Sequence, residues 1–276
     1  MRYVFLTGAT GGLGRAVVEL LSRRGYGVFA AGTNERRIAE LAELPRVIPI
    51  RADVTDDQSL LAARETVLSH TPSLYAVVNF AGLTAFGSLV EGDCIPTIQR
   101  LLDINVTGTA RVNRLFFELV RAGGGRIVNC SSEAGWMKPQ PFAGAYFLSK
   151  RAVEAYNDSL RRELMFLGVP VVKIQPGSYR TAITDAVNEG FERMLGETRL
   201  YGRVLSRMKP MMDQELSRSG NPRALAAVVL RALEARRPRL RYRAGTGKLL
   251  ALMELLPDRT VDWLYRLACG RVSRAE

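Results

Sequence analysis

Histidine is almost missing from this chain: His70 is the one such residue among 276. A lone histidine cannot build a histidine-based metal site, nor a Ser-His-Asp triad by itself, so no metal is expected. Placed at the end of a polar helical stretch, His70 reads as a surface residue. Cysteine is scarce too. Cys94, Cys130 and Cys269 are far apart, odd in number and without CxxC spacing, which rules out a disulfide framework. They read as small apolar residues in a reducing compartment, with the cytoplasm as default. No run of about eighteen or more apolar residues is present, so a spanning helix is not expected. Tyr3-Val4-Phe5-Leu6 enters a glycine-rich loop and reads as a strand, not as part of a cleavable signal. Acidic residues are in deficit, 27 against 39 basic ones, for a net charge of +12. The arginines are scattered, densest in 236–243, and no nucleic-acid motif accompanies them. They are therefore taken as background composition, with no specific nucleic-acid partner.

What is present is a regular alternation. Hydrophobic residues make up 47% of the chain, enough for a normal core. Short apolar runs at 3–6, 27–31, 47–50, 75–79, 126–130, 169–174 and 240–242 read as strands. Amphipathic stretches at 13–23, 57–69, 97–120, 146–166 and 222–235 read as helices between them. This pattern predicts an α/β fold: a single doubly wound Rossmann-type domain with a seven-stranded parallel sheet. Residues 181–219 carry Met, Leu, Phe and Tyr among charges, and so long an insertion predicts a helical substrate lid. Residues 247–276 form a C-terminal helical tail with three open readings: a cover over the site, a subunit interface, or a peripheral membrane contact through its basic residues.

The first strand runs into Thr7-Gly8-Ala9-Thr10-Gly11-Gly12-Leu13-Gly14. A strand followed by a glycine-rich turn and a helix brings free backbone N–H groups and a positive dipole end to a pyrophosphate. Farther on, Tyr146 and Lys150 are four apart and share a helix face. A tyrosine with its usual pKa of about 10 exchanges protons poorly near neutrality, and an adjacent ammonium favours the phenolate.

Together these segments resemble the classical short-chain dehydrogenase/reductase family. Its TGxxxGxG pattern is matched by residues 7–14, Asn79-Phe80-Ala81-Gly82 resembles NNAG, and Pro176–Thr181 resembles PGxxxT. The resemblance covers about residues 2–235 and implies NAD(P) as cofactor. It implies that Gly8, Thr10, Gly11, Gly12, Leu13 and Gly14 hold the pyrophosphate and that Asp53 and Val54 meet the adenine. Asn79, Ala81 and Gly82 would border the cofactor, and Pro176, Gly177, Tyr179 and Thr181 the nicotinamide. It also implies a catalytic set of Asn105, Ser132, Tyr146 and Lys150. In that set Tyr146 exchanges a proton with the substrate oxygen, which Ser132 holds. Lys150 tunes Tyr146 and binds the ribose, and Asn105 holds a relay water. Ser132 and Tyr146 stand one residue farther apart than is usual in the family, a difference the loop between them can absorb.

Residues 31–37 contain no acid at the strand end to repel a 2′-phosphate, while Thr33 and Asn34 can donate to one and Arg36 or Arg37 can neutralise it. The balance leans to NADP. Residues 159–164 and 175–183 look like the retinol and hydroxysteroid dehydrogenase branch, which implies a bulky apolar alcohol or carbonyl substrate. Trp136, Met137 and Phe142 are expected as pocket walls. A homodimer or homotetramer is expected. The alternative function is a non-catalytic NAD(P)-sensing scaffold on the same fold, which would need the glycine loop but not the Asn-Ser-Tyr-Lys set.

Overall fold

The computed structural model describes residues 1–270; Arg271 and the rest of the expected tail lie outside the described residues. Seven parallel strands form one sheet: β1 (Tyr3–Thr7), β2 (Gly27–Gly32), β3 (Val47–Arg51), β4 (Ala76–Asn79), β5 (Arg126–Cys130), β6 (Val171–Pro176) and β7 (Arg241–Ala244). Their spatial order is β3-β2-β1-β4-β5-β6-β7. The chain therefore winds outward one way from β1 and then the other way from β4. The gap at the C-terminal ends of β1 and β4 is the switch point at which doubly wound sheets bind ligands.

Alternation along the strands fills two layers. Val4, Leu6, Val28, Ala30, Ala76 and Val78 face α1 (Gly12–Arg23) and α9 (Pro222–Glu234). Phe5, Phe29, Val77 and Ile127 face α3 (Asp57–Leu68) and α5 (Thr109–Ala122), with Phe5 stacked on Phe116 at 4.0 Å between ring centroids. Each fully buried Val, Leu, Ile or Phe among them contributes about 1.5–3 kcal/mol. Both faces are covered, which is why β1, β2 and β4 read as continuous apolar runs.

The expected strands and helices are present, with shifts of one or two residues at several ends. One expected helix differs in kind. The stretch 97–120 is helical throughout but runs as α4 (Ile95–Leu102), a wider π-helical turn (Asp103–Gly108) and α5. The Thr109 hydroxyl donates to the Asn105 carbonyl at 2.8 Å, a side-chain bond of the kind that bends helices. Asn105 sits in this widened turn.

The 181–219 insertion folds as α7 (Ala182–Glu197) and α8 (Gly202–Ser217). Phe191, Met194 and Leu205 form its own small core with Phe86, Phe142 and Tyr201. The described tail contains α10 (Lys248–Met253) and α11 (Asp258–Cys269), and α11 packs against α8 through a face containing buried Val261 and Cys269. Its other face leaves Trp263 and Leu267 exposed.

Candidate active site

The cleft is built first by the backbone. Gly8 has φ +69°, and a Cβ there would stand 2.5 Å from the Ala81 nitrogen, so the loop can close over β4 only with glycine. A Cβ on Gly14 would stand 2.2 Å from the Gly8 carbonyl oxygen, so the same loop can fold onto α1 only if this position is glycine. Gly11 caps α1 without a side-chain bond, and no acid occupies the first turn. The free N–H groups of that turn therefore point into the cleft with nothing of their own to satisfy them. A Cβ on Gly12 would strike the Thr181 side chain at 2.6 Å, so the glycine admits the Pro176–Thr181 turn directly over the loop.

A cavity of about 640 Å³ runs along this backbone frame. Its lining includes all four glycines of the loop, Thr10 and Leu13, then Thr33, Asp53, Val54, Ala81 and Gly82. Pro176, Gly177, Tyr179 and Thr181 close its other side, and Ser132, Tyr146 and Lys150 reach it from β5 and α6 (Gly144–Leu164). Segments from both halves of the sheet thus meet at one place.

Several residues expected at the cofactor are placed elsewhere. Asn79 is buried: its Nδ2 donates to Asn113 Oδ1 at 2.7 Å and to Asn129 Oδ1 at 2.9 Å, pinning β4 to α5 and β5. Asn34 does not line the cleft but caps α2 (Glu35–Leu41), its Oδ1 accepting from the Arg37 nitrogen at 3.0 Å. Arg36 points to solvent, 3.8 Å from Glu40. Its neighbour Arg37 instead lies against the glycine loop, with Nη1 donating to the Thr10 carbonyl at 3.1 Å. Of the three expected pocket walls, only Met137 lines the cleft. Trp136 turns away and stacks under the Arg243 guanidinium at 3.8 Å. Phe142, at φ +63°, joins the lid core beside Tyr201 and lines a separate cavity of about 720 Å³ under α7.

The polar set forms one connected arrangement. The Asn105 amide clamps the Leu83 backbone, accepting from its nitrogen at 2.8 Å and donating to its oxygen at 3.0 Å. Its second N–H donates to Ser149 Oγ at 2.9 Å, and Ser149 donates to the Tyr146 carbonyl at 2.8 Å. The Asn105 side chain is thus committed to positioning α6 and the loop after β4. Sequence reasoning did not include Ser149, although a serine three residues beyond Tyr146 lies on the same helix face. Lys150 donates to the Cys130 carbonyl at 3.3 Å, leaving donor capacity toward the cleft. Ser132 caps the 3₁₀ turn Glu133–Gly135, accepting from the Ala134 nitrogen at 3.2 Å. Ser131 also borders the cleft, with its buried Oγ near Gly135 and Glu154.

The electrostatics correct one expectation. Burial raises the Tyr146 phenol above its ordinary value, with Cys130 and Glu133 acting the same way and the Ser132 hydroxyl opposing them. Burial likewise lowers the Lys150 ammonium. Lys150 Nζ stands 5.8 Å from the Tyr146 ring centroid, and desolvation outweighs any help it gives the phenolate in the protein alone. Burial thus disfavours the charged form of both groups, and a further positive charge beside Tyr146 would favour its phenolate. An oxidised nicotinamide carries such a charge, and the glycine cradle and free helix end beside these groups fit a dinucleotide.

Comparison with known proteins agrees. Residues 2–192 match the short chain dehydrogenase family. Mouse retinol dehydrogenase 16 is 33% identical over 284 residues, covering 95% of this chain and 87% of that protein. Rat 17-beta-hydroxysteroid dehydrogenase type 6 is 33% identical over 293 residues, covering 99% and 90%. Among solved structures, a short-chain dehydrogenase from Streptomyces avermitilis superposes with a TM-score of 0.74 at 24% identity, covering 96% of each chain. An alcohol dehydrogenase from Thermococcus sibiricus complexed with 5-hydroxy-NADP superposes at 0.72 with 20% identity, covering 88% of this chain and 96% of that one. The chain belongs to the short-chain dehydrogenase family, in its retinol and hydroxysteroid dehydrogenase branch, and is an NAD(P)-dependent oxidoreductase of alcohol and carbonyl groups.

Proposed function

We propose that the enzyme interconverts a bulky apolar alcohol and its carbonyl with NADP as the preferred cofactor, using Tyr146 as the proton-transfer residue. The observation that carries this reading is the meeting of Ser132, Tyr146 and Lys150 with the uncapped end of α1 in one cleft. When bound, the nicotinamide supplies or accepts the hydride. In reduction, Ser132 donates a hydrogen bond to the substrate carbonyl oxygen and Tyr146 delivers its phenolic proton there. In oxidation the Tyr146 oxygen takes the hydroxyl proton. After reduction Tyr146 regains its proton from solvent, and after oxidation it releases the one it took; Lys150 would hold the ribose, while Asn105 and Ser149 fix where α6 presents both groups.

The apolar substrate rests on the cleft walls. Met137, Phe147, Ile183, Val187, Met212 and Leu216 supply them, four of the six from α7 and α8. An apolar ligand needs such a surface, and a lid that contributes most of it selects for size. The names of the relatives, retinol and hydroxysteroid dehydrogenases, point the same way. The NADP preference is supported by the absence of an acid at the end of β2 and by Arg37, held against the glycine loop at Thr10.

The test is a spectrophotometric screen of the purified protein with NADPH and NADH against bulky polycyclic, long-chain and small carbonyls. Faster NADPH consumption with the bulky compounds is expected. Turnover confined to small carbonyls, or none with any compound despite cofactor binding, would overturn the reading.

A further inference from the structure

Beside the expected chemistry, one stretch of the cleft wall is polar and unpaired. Glu133 follows Ser132 directly, and its Oε2 is buried without a hydrogen-bond partner. Glu215 enters the same cleft from α8 and, among the described residues, forms no ion pair. Burial, reinforced by the nearby Glu215 carboxylate, pushes Glu133 up to about 7, and burial also raises Glu215. A chain with 39 lysines and arginines has placed none of those described against them.

Two hydroxyls stand with this pair. Tyr179 is 5% exposed, lines the cleft, and lies near enough to Glu133 for its phenol to be raised by that carboxylate. Among the described residues its hydroxyl has no hydrogen-bond partner, and its position is set by Gly245, where a Cβ would stand 2.8 Å from the hydroxyl oxygen. The Thr246 hydroxyl is buried beside Glu133 and favours its carboxylate form. Buried polar atoms without partners cost about 1–3 kcal/mol each, and native proteins keep few of them. Glu133 Oε2 is such an atom, and Glu215 and Tyr179, for which no hydrogen bond is found among the described residues, line the same cleft.

Their chemistry narrows the ligand group. The carboxylates accept hydrogen bonds, and the tyrosine and threonine hydroxyls can donate them. An ammonium only donates and a carbonyl only accepts. A hydroxyl does both. We propose that Glu133, Glu215 and Tyr179 form a subsite for a second hydroxyl of the substrate, separate from the carbinol that reacts at Tyr146. The preferred substrate is then apolar in its body and dihydroxylated, or hydroxylated and carbonyl-bearing. This inference rests on the proposed reading of the cleft as a bulky-alcohol site.

The test uses two matched pairs of different length: cyclohexylcyclohexanol with bicyclohexyl diol, and decalol with decalindiol. Binding of each to the protein with NADP⁺ present is measured by calorimetry, and turnover is measured alongside. At least one diol is expected to bind about tenfold tighter than its partner, the worth of one well-made hydrogen bond to a charged group. Glu215→Leu should bring that preference below about threefold, with Glu215→Gln and Tyr179→Phe falling between. Because each result is a ratio within one protein, a general loss of affinity does not imitate it. Equal binding of both members in each pair by the unaltered protein would overturn the subsite while leaving the bulky-alcohol reading intact. So would a preference that survives Glu215→Leu, or tighter binding of the corresponding amino alcohol. Failure of all four compounds to bind or turn over would overturn the subsite and the bulky-alcohol reading together.

Discussion

The two sides of the cleft are made of different material. The cofactor side is backbone: a glycine loop, the open end of α1 and the turn after β6, all within a few residues of strand ends. The substrate side is side chains from Met137, Phe147, α7 and α8, segments far apart in sequence. The backbone side tolerates almost no added atom, since a Cβ on Gly8 or Gly14 would overlap main-chain atoms. The substrate side carries unpaired carboxyls and adjustable methionines. One side is shaped to hold a constant ligand, and the other can be altered residue by residue to change the variable one.

The sharpest break of this contrast is at the point where the two sides meet. Tyr146→Phe removes one oxygen and keeps the ring in its packing with Phe147 and Met137. Turnover should fall about a thousandfold, within the range for loss of a general acid–base. Cofactor affinity should change little. Steady-state rates and a fluorescence titration with NADPH check the two halves separately. Activity near that of the unaltered enzyme would remove Tyr146 from the mechanism.

On the cofactor side, Gly14→Ala places a methyl against the Gly8 carbonyl, where only backbone can move. Overpacking of this kind costs about 1–3 kcal/mol, so NADPH affinity should weaken by up to about a hundredfold. The circular dichroism spectrum should remain that of a folded protein. An unchanged Kd would show that the loop is softer than its contacts suggest.

The same contrast explains what was legible in the sequence. Strand alternation and the glycine loop are local patterns, and the sheet and the cofactor cradle follow from them. The spacing of Tyr146 and Lys150 put them on one helix face, while their role came only with the family resemblance. Trp136 and Phe142 were misplaced because nearness in sequence to Tyr146 says nothing about which way a loop turns. Phe142 takes a positive φ and joins the lid core, and Trp136 finds Arg243 of β7. Asn79 was assigned to the cofactor by its motif, yet its partners Asn113 and Asn129 lie 34 and 50 residues away and become visible only when the sheet is assembled. The pairing of Glu133 with Glu215 is equally non-local. The π-helical turn at Asp103–Gly108 shifts the register of an otherwise regular helical pattern, which no periodicity announces.

On the substrate side, Glu133 makes stability depend on pH. Its carboxyl rises from 4.5 to about 7 through burial and Glu215, with Thr246 opposing. Between those two values the folded protein holds a proton that the unfolded chain has released. Stability from this group is therefore complete below about pH 4.5 and is lost as pH rises through 7. The full loss is about 3 kcal/mol on the linkage relation. Glu133→Gln should flatten that decline, as read by urea denaturation at pH 5 and pH 8. An equal decline in both proteins would place the carboxyl in ordinary solvent.

The smallest effect tests whether the cofactor side is wholly backbone. Among the described residues Arg37 is the one cationic side chain bonded to the glycine loop, through the Thr10 carbonyl, while Arg36 beside it points to solvent. Its guanidinium is exposed, so any 2′-phosphate contact is screened and worth about 1–1.5 kcal/mol. Arg37→Ala should therefore weaken NADPH by about tenfold and leave NADH within about twofold, as followed by paired fluorescence titrations. Arg36→Ala should move neither. Equal weakening of both cofactors would mean that Arg37 braces the loop through Thr10, and the cofactor side would then distinguish its ligands by backbone shape alone. Weakening of NADPH alone would show that even this rigid side carries one adjustable residue, placed where the two cofactors differ.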